Sequence, residues 1–379
     1  MPQNIFSRTE KKEKRVFKDE RFLYPEFVPE RLPFRDSEID SLVFALNPVT
    51  KGAKPQNIFV CGPTGVGKTV AVKFVLKQLE EFSDRAKASY FNCFEFNSRH
   101  SILSGIANLL GAAVPRRGIA TDETYTKLIE LLKKATFTPI AVLDEADQLP
   151  REELSSLLYD LLRVTEQQKN HICVVLVSND EGFTASLDAR VKSSLSPQAI
   201  SFSAYSPQQL KQILQERSEF AFQKNALPAD VVSVAAAHAA KLGGDARIAI
   251  ESLLRAGREA ERENSATVEL KHLRKAFESV DAASSLKSLK FLGDDEKLLL
   301  SIVSSKQSIA SGEIYSLYKK KSKAPLSERR LRDLMNGLEQ KRLVKSELLD
   351  LGNKGKTKQF SCSVEKGQID ASLSLTAKD

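Results

Sequence analysis

Short apolar runs alternate with longer amphipathic stretches from residue 57 to about residue 202. The runs occupy 57–61, 89–94, 139–143, 172–177 and 199–202, and several are apolar almost throughout. Strands buried on both faces of a parallel sheet have this character, because helices cover each face. Strand–helix alternation over this length predicts a doubly wound α/β domain, placed here at 22–205.

After Tyr205 the apolar period becomes that of helices alone. Ser206-Pro207-Gln208-Gln209 reads as a capping box with proline at the first helical position. It opens a helix with apolar residues at Leu210, Ile213, Leu214, Phe220 and Phe222. A second helix around 230–242 stops at Gly243-Gly244, and a third starts at Asp245 and runs to about Glu263. A small helical domain over 206–283 follows. The Ser/Lys-rich stretch 282–290 predicts a linker. Beyond it, helical segments at 294–304, 311–320 and 327–341 precede two β-runs, 343–349 and 358–364. Three helices and a basic hairpin predict a winged helix over 290–379. Residues 1–21 are charged and lack hydrophobic period, so they predict a flexible basic arm.

Composition narrows the class. The chain has 379 residues, enough for two or three domains. With 41% apolar and 28% charged residues it is too apolar for a disordered protein. The longest apolar run, 172–177, is far short of the roughly 18 residues that span a bilayer. Residues 1–20 alternate charges and contain no apolar core of a secretory signal. Cys61, Cys93, Cys173 and Cys362 are far apart with no C-x-x-C pair, and the four histidines are scattered. Disulfide scaffolds and zinc fingers are poor readings of that pattern. A soluble cytoplasmic protein is expected. The net charge is +8, and residues 306–358 alone hold 14 Lys/Arg against 6 Asp/Glu. That local surplus fits a polyanion footprint, and on charge alone it equally fits a solvated basic face.

Gly62-Pro63-Thr64-Gly65-Val66-Gly67-Lys68-Thr69 matches G-x-x-x-x-G-K-[ST] in full, between an apolar strand and the start of a helix. The glycines let backbone N–H groups, continuing to Val70, turn around phosphate oxygens at the positive end of the helix dipole. Lys68 is placed to reach the β- and γ-phosphates, and Thr69 to offer a hydroxyl to Mg²⁺. Seventy-six residues after Lys68, Ala141-Val142-Leu143-Asp144-Glu145-Ala146-Asp147 ends an apolar strand in acids. Asp144 lies at the sheet edge where nucleotides bind, suited to hold Mg²⁺, with Glu145 polarising a water. Taken alone the acids would be a helix cap, as Asp147 is expected to be. Asn179 ends the next strand, where it can orient water or serve as a turn former. Arg247 stands in the first turn of a helix, against the dipole; a bound phosphate resolves that conflict, and otherwise it is an exposed arginine.

Together these residues resemble AAA+ ATPases. More narrowly, they resemble the archaeal replication initiators related to the origin recognition complex large subunit and to cell division control protein six. The similarity spans roughly 25–364. Its most specific pieces are Val28-Pro29-Glu30-Arg31-Leu32-Pro33-Phe34-Arg35, Val142 to Asp147, Arg190-Val191-Lys192-Ser193-Ser194-Leu195 and Gly244-Asp245-Ala246-Arg247. The resemblance implies that the segment around Val28 and Arg31 helps enclose adenine. It also implies that Asn179 is sensor one, Arg247 is sensor two on the helical lid, and Arg190 is a finger for the γ-phosphate of a neighbouring protomer or a partner. From physics alone Arg190 is equally a surface ion-pair residue. The family's helical insertion after the second strand corresponds to about 100–126, with Arg116 and Arg117 beside Pro115 and Gly118. Two arginines at such a turn suit phosphate contact, or are an ordinary solvated turn. The sequence departs from the family pattern at 94–98, which lacks the usual basic and Thr positions, and at Ala189, where proline is common.

In a winged helix, the segment 327–341 is the second helix of the helix-turn-helix. Arg329, Arg330 and Arg332 lie near its N-terminal part, where such helices meet the major groove. Leu331, Leu334, Met335 and Leu338 fit a buried stripe. Lys354 and Lys356 lie on a small-residue turn suited to the minor groove.

The expected function is an ATP-dependent replication initiator on double-stranded origin DNA. ATP or ADP with Mg²⁺ sets its state, hydrolysis is slow, and its partners are a paralogous protomer and the replicative helicase. The competing classes are a motor or clamp-loading ATPase and a signalling ATPase whose winged helix binds protein. Clamp loaders end in a helical collar, whereas this chain ends in a basic winged helix.

Overall fold

The computed structural model describes residues 15–115, 118–167, 170–289, 292–322, 325–340, 343–350 and 356–362. The chain divides into two units, Met1–Leu273 and Arg274–Asp379.

In the first unit the elements run α1 (Asp36–Leu46), β1 (Ile58–Cys61), α2 (Lys68–Phe82), β2 (Ala86–Asn92), α3 (Arg99–Leu109) and α4 (Thr121–Lys134). They continue with β3 (Thr138–Asp144), α5 (Arg151–Gln167), β4 (Cys173–Ser178), α6 (Ala189–Leu195) and β5 (Gln198–Ser201). The strands form one parallel sheet in the order β2-β3-β4-β1-β5. Alternation along each strand divides the core in two. Phe59, Leu143 and Leu176 pack with residues of α3, α4 and α5, while Val60, Val142 and Val175 pack with residues of α1 and α2. Val60 pairs with Val177 and Leu143 with Leu176, so β1, β3 and β4 all deliver their C-terminal residues to one edge.

The helical part follows as α7 (Pro207–Ala221), α8 (Ala229–Lys241) and α9 (Ala246–Arg262), and α10 (Leu270–Leu289) runs from the end of this unit into the second. The Ser206–Gln209 capping box forms on both sides, with Pro207 at the first helical position. Gly243 and Gly244 take φ of +95° and +75° and end the α8 segment.

Two expectations change here. The stretch 282–290 is helical through Leu289 and is not a linker. It contains neither Gly nor Pro, and serine lowers helix stability by only a few tenths of a kcal/mol, so nothing stops the preceding helix. The expectation of a flexible arm over 1–21 also fails in its described part. Residues 1–14 lie outside the described residues, but Val16 and Phe17 are buried and Phe17 bridges to Phe222. Glu261 accepts the N–H groups of both, and Phe17 packs on Gly257, where a Cβ would meet its ring at 2.2 Å.

The second unit holds α11 (Asp294–Ser304), β6 (Ile309–Ala310), α12 (Ser311–Lys321), α13 (Glu328–Gln340), β7 (Val344–Asp350) and β8 (Lys356–Cys362). Its antiparallel sheet has the order β6-β8-β7. Leu331, Met335 and Leu338 of α13 are buried with Leu299, Tyr318 and Phe360. This is a winged helix. Among the described residues no helix is long and apolar enough to cross a membrane.

Candidate nucleotide site

The loop from Gly62 to Thr69 leaves β1 at the sheet edge and turns into α2. Gly62 has φ +138°, and a Cβ there would stand 2.1 Å from the Phe202 carbonyl oxygen. Gly65 has φ +71° and faces the Asp245 carboxylate so closely that a Cβ would lie 1.7 Å from Oδ1. Both positions require glycine on conformational and steric grounds. Ala246 N–H donates to the Gly65 carbonyl at 3.1 Å, so the start of α9 rests on the loop.

Lys68 is the first residue of α2 and only 7% exposed. Its Nζ donates to Gly62 O at 2.7 Å, to Pro63 O at 2.6 Å and to Asn179 Oδ1 at 2.9 Å. Burial pulls its pKa below the ordinary lysine value, and the Glu145 charge opposes that shift. Asn179 also donates through Nδ2 to Glu145 Oε2 at 2.5 Å. One chain of hydrogen bonds therefore runs from lysine to amide to carboxylate. Glu145 has φ +55°, and burial, reinforced by the charges of Asp144 and Asp147, raises its pKa.

Thr69 Oγ1 donates to Asp144 Oδ2 at 3.0 Å. A threonine hydroxyl, a carboxylate and Glu145 beside them are hard oxygen donors, the set that suits Mg²⁺ when phosphate oxygens and water complete its shell. Among the described residues no three His, Cys, Asp or Glu converge into a self-sufficient metal cage, and Mg²⁺ bound with a nucleotide needs none. Asp147 accepts from Ser178 Oγ at 2.7 Å and from Asn179 N–H at 3.4 Å, tying the end of β4 to the turn after β3.

Arg247 lies on α9 at the rim. Its guanidinium pairs with Asp245, Nη2 to Oδ2 at 3.2 Å, while Asp245 caps the helix through Arg247 N–H at 2.8 Å. Val28 and Arg31 are exposed on the lead-in to α1, and Val66 and Val70 belong to the loop and α2. Arg190 is exposed on α6, and none of the described hydrogen bonds or ion pairs joins its side chain to the Lys68 cluster.

Sequence reasoning missed three contributors. Arg35, quoted only within a motif, is 3% exposed and lies over the Tyr205 ring at 4.0 Å. It donates to Val66 O and Tyr205 Oη at 3.0 Å each, to Glu38 at 2.8 Å and to Ser203 O at 2.7 Å. Tyr205 in turn lies against Gly67, where a Cβ would stand 3.0 Å from its hydroxyl. Tyr90 donates to Asp144 Oδ2 at 3.0 Å. No local spacing announces these, because the partners that bring them to the site come from distant strands and loops.

Of the residues expected on DNA, Arg329, Arg330 and Arg332 are exposed on α13. Arg116, Arg117 and Lys354 lie outside the described residues, as does the side chain of Lys356, which opens β8. The stretch 100–126, expected to be the insertion, takes in most of α3 and the start of α4.

Known proteins share these features in order. Residues 52–184 match the sequence model of an AAA domain, 211–278 that of the Cdc6 AAA+ ATPase-type lid domain, and 297–372 that of the CDC6 C-terminal winged helix domain. ORC1-type DNA replication protein 1 of Archaeoglobus fulgidus is 34% identical over 94% of this chain and 90% of its own length. The ORC1-type DNA replication protein of Thermococcus kodakarensis is 36% identical over 93% and 89%. The Aeropyrum pernix ORC1 protein, solved in complex with DNA, superimposes with a TM-score of 0.73 at 32% identity, covering 96% of this chain and 97% of that one. The Aeropyrum pernix ORC2 protein, at 22% identity and TM-score 0.69 over 96% and 100%, shares the fold.

Proposed function

The chain belongs to the ORC1-type family of DNA replication proteins, and we propose that it is an origin-binding initiator whose grip on duplex DNA is set by the nucleotide at the Lys68 site. The observation that carries this reading is the linked cluster itself. Lys68, Asn179 and Glu145 are hydrogen-bonded in series, with Thr69 and Asp144 paired beside them.

The loop amides from Gly62 to Val70 and the Lys68 ammonium bind the phosphates, and Val28 and Arg31 flank the base. Thr69 and Asp144 would hold Mg²⁺, which when bound would supply positive charge to offset that of the phosphates. Glu145 draws a proton from the attacking water, and Asn179 orients both that carboxylate and Lys68. Arg247 leaves Asp245 to contact the γ-phosphate, coupling the helical lid to the nucleotide. Arg190 serves a neighbouring protomer. Hydrolysis is a slow reset of the switch.

DNA is the partner of the winged helix and the insertion. The Aeropyrum pernix relative is a DNA complex, and the basic surplus here lies in 306–358. Arg329, Arg330 and Arg332 face the major groove and Lys354 and Lys356 the minor groove, while Arg116 and Arg117 add phosphate contacts. A paralogous protomer and the replicative helicase are the protein partners. The C-terminal winged helix, in place of a helical collar, weighs against a clamp loader.

The test compares wild type with Lys68→Ala for ATP binding, and for origin-DNA binding with and without ATP across a salt series. Lys68→Ala loses ATP binding and any response of DNA affinity to ATP. Wild-type affinity falls with salt at a slope of about −0.9 per phosphate neutralised. Normal ATP affinity in Lys68→Ala overturns the site, and a flat salt response overturns the DNA reading.

A further inference from the structure

Asp144 is held by three donors. Oδ2 accepts the hydroxyls of Thr69 and Tyr90, each at 3.0 Å, and Oδ1 accepts the Glu145 N–H at 3.1 Å. Thr69 and the Glu145 amide are part of the loop and strand end already described. Tyr90 is not; it comes from β2, where it pairs in register with Val142, two residues before Asp144. Side chains two apart on a strand share a face, so the phenol runs along the sheet surface and meets the carboxylate from beside it.

The ring is itself anchored. It packs on the α2 face of the core, and Lys73 of α2 places its ammonium 4.8 Å from the ring centroid. Its hydroxyl is the donor of the pair, aimed at a carboxylate oxygen that can only accept. Asp144 is 5% exposed, so few waters are available to replace this donor.

We propose that Tyr90 is a positioning residue for Mg²⁺: with Thr69 it fixes one oxygen of Asp144, so the carboxylate keeps one orientation toward the metal. This rests on the reading of Thr69 and Asp144 as the Mg²⁺ site. Mg²⁺ demands near-octahedral geometry and tolerates little ligand wander. Groups that hydrogen-bond a metal ligand, without touching the metal, typically change metal affinity by about 10–100-fold when removed.

The experiment uses the full chain and a fluorescent ADP analogue, titrated with Mg²⁺ and measured separately in EDTA. Tyr90→Phe keeps the ring and loses only the hydroxyl. It raises the Mg²⁺ concentration at the midpoint of the Mg²⁺-dependent gain in affinity by about tenfold or more, while binding in EDTA is unchanged. A merely structural role predicts the reverse: weaker binding in EDTA, a lower melting temperature and an unmoved Mg²⁺ midpoint, and that result overturns the proposal. Asp144→Asn separates the two levels. If it shifts the midpoint and Tyr90→Phe does not, only the role of Tyr90 fails. If Asp144→Asn leaves the midpoint unmoved, the Mg²⁺ reading beneath it fails. Should Tyr90→Phe not fold, Tyr90→Leu, which also lacks the hydroxyl, is titrated in the same way; an unmoved Mg²⁺ midpoint there overturns the proposal.

Discussion

The Asn179 carboxamide nitrogen lies 2.5 Å from Glu145 Oε2, so the neutral residue just after β4 holds the acid that follows β3. The same amide accepts from Lys68 with its oxygen. Asparagine is suited to this place because it donates and accepts at once without adding charge. Lys68 and Glu145 are thereby joined through one uncharged side chain.

Glu145→Gln is the first variant to make. Glutamine keeps an acceptor for Asn179 but removes the base, so ATP hydrolysis falls by about 10²–10⁴ with ATP binding retained. Specific DNA binding that survives in this variant supports the switch, whereas a requirement for turnover supports a motor. The pH profile carries a second signature. The raised Glu145 pKa moves the acid limb of hydrolysis above the usual glutamate range, and the lowered Lys68 pKa moves the alkaline limb down. A raised carboxylate pKa stabilises the fold below the unfolded value of 4.5, and that contribution is lost as pH rises through the folded value. At pH 7–8 ionised Glu145 therefore destabilises the fold. Glu145→Gln melts at or above the wild-type temperature there, and the difference closes on acidification; a lower melting temperature at pH 8 contradicts the burial argument.

Arg35→Ala tests the buttress behind the phosphate loop. It strips donors from Val66 O, Ser203 O and Tyr205 Oη and leaves Glu38, 12% exposed, without its cation. Breaking a buried pair from one side costs about 3–5 kcal/mol, read by denaturant unfolding. Arg35→Lys keeps the charge without the planar fork and falls between the two. Nucleotide affinity drops in both, because the loop carbonyl at Val66 loses its tether.

The parts of this arrangement that depend on local spacing were legible in the chain. The phosphate loop, the Ser206–Gln209 cap and the Gly243-Gly244 stop each place their determinants within a few residues. Arg35 and Tyr90 were not legible as site residues, since the partners that tie them to the site lie far off in sequence: Val66, Ser203 and Tyr205 for Arg35, 31 to 170 residues away, and Asp144 for Tyr90, 54 away. Val16-Phe17 was obscured by the charges around it, although two buried apolar residues suffice to fasten a segment. The residues at 282–290 looked like a linker by composition, yet composition without Gly or Pro carries no helix stop.

On the winged helix, Arg329, Arg330 and Arg332 stand exposed while Leu331, Met335 and Leu338 of the same helix are buried. Replacing each arginine with alanine leaves the fold intact and separates two kinds of DNA interaction. An arginine bound to phosphate, once removed, reduces the salt slope by about 0.9 and weakens binding to all sequences alike. An arginine bound to a base edge, once removed, costs about 1–3 kcal/mol on origin DNA and relaxes specificity. Wild-type affinity and slope in the triple variant would falsify the assignment of this helix.

The insertion offers a different lever. Asn108, near the end of α3, clamps the chain that leads toward Arg116: its Nδ2 donates to Val114 O at 3.0 Å, and its Oδ1 accepts Val114 N–H at 2.8 Å. Ser104 Oγ reaches Pro115 O at 3.5 Å, and His100 Nε2 lies 3.4 Å from the same oxygen. A side-chain amide that pairs both backbone groups of one residue fixes direction as well as position. Asn108→Ala loses both bonds at an exposed site, so global stability falls by only about 1 kcal/mol. The entropy of the freed segment instead weakens DNA binding, because the arginines must be ordered at the moment of contact. Affinity therefore drops several-fold in Asn108→Ala. In the Arg116→Ala/Arg117→Ala background the same substitution has no further effect, because nothing remains to be positioned. A drop that persists in that background assigns Asn108 to the helix and not to the arginines.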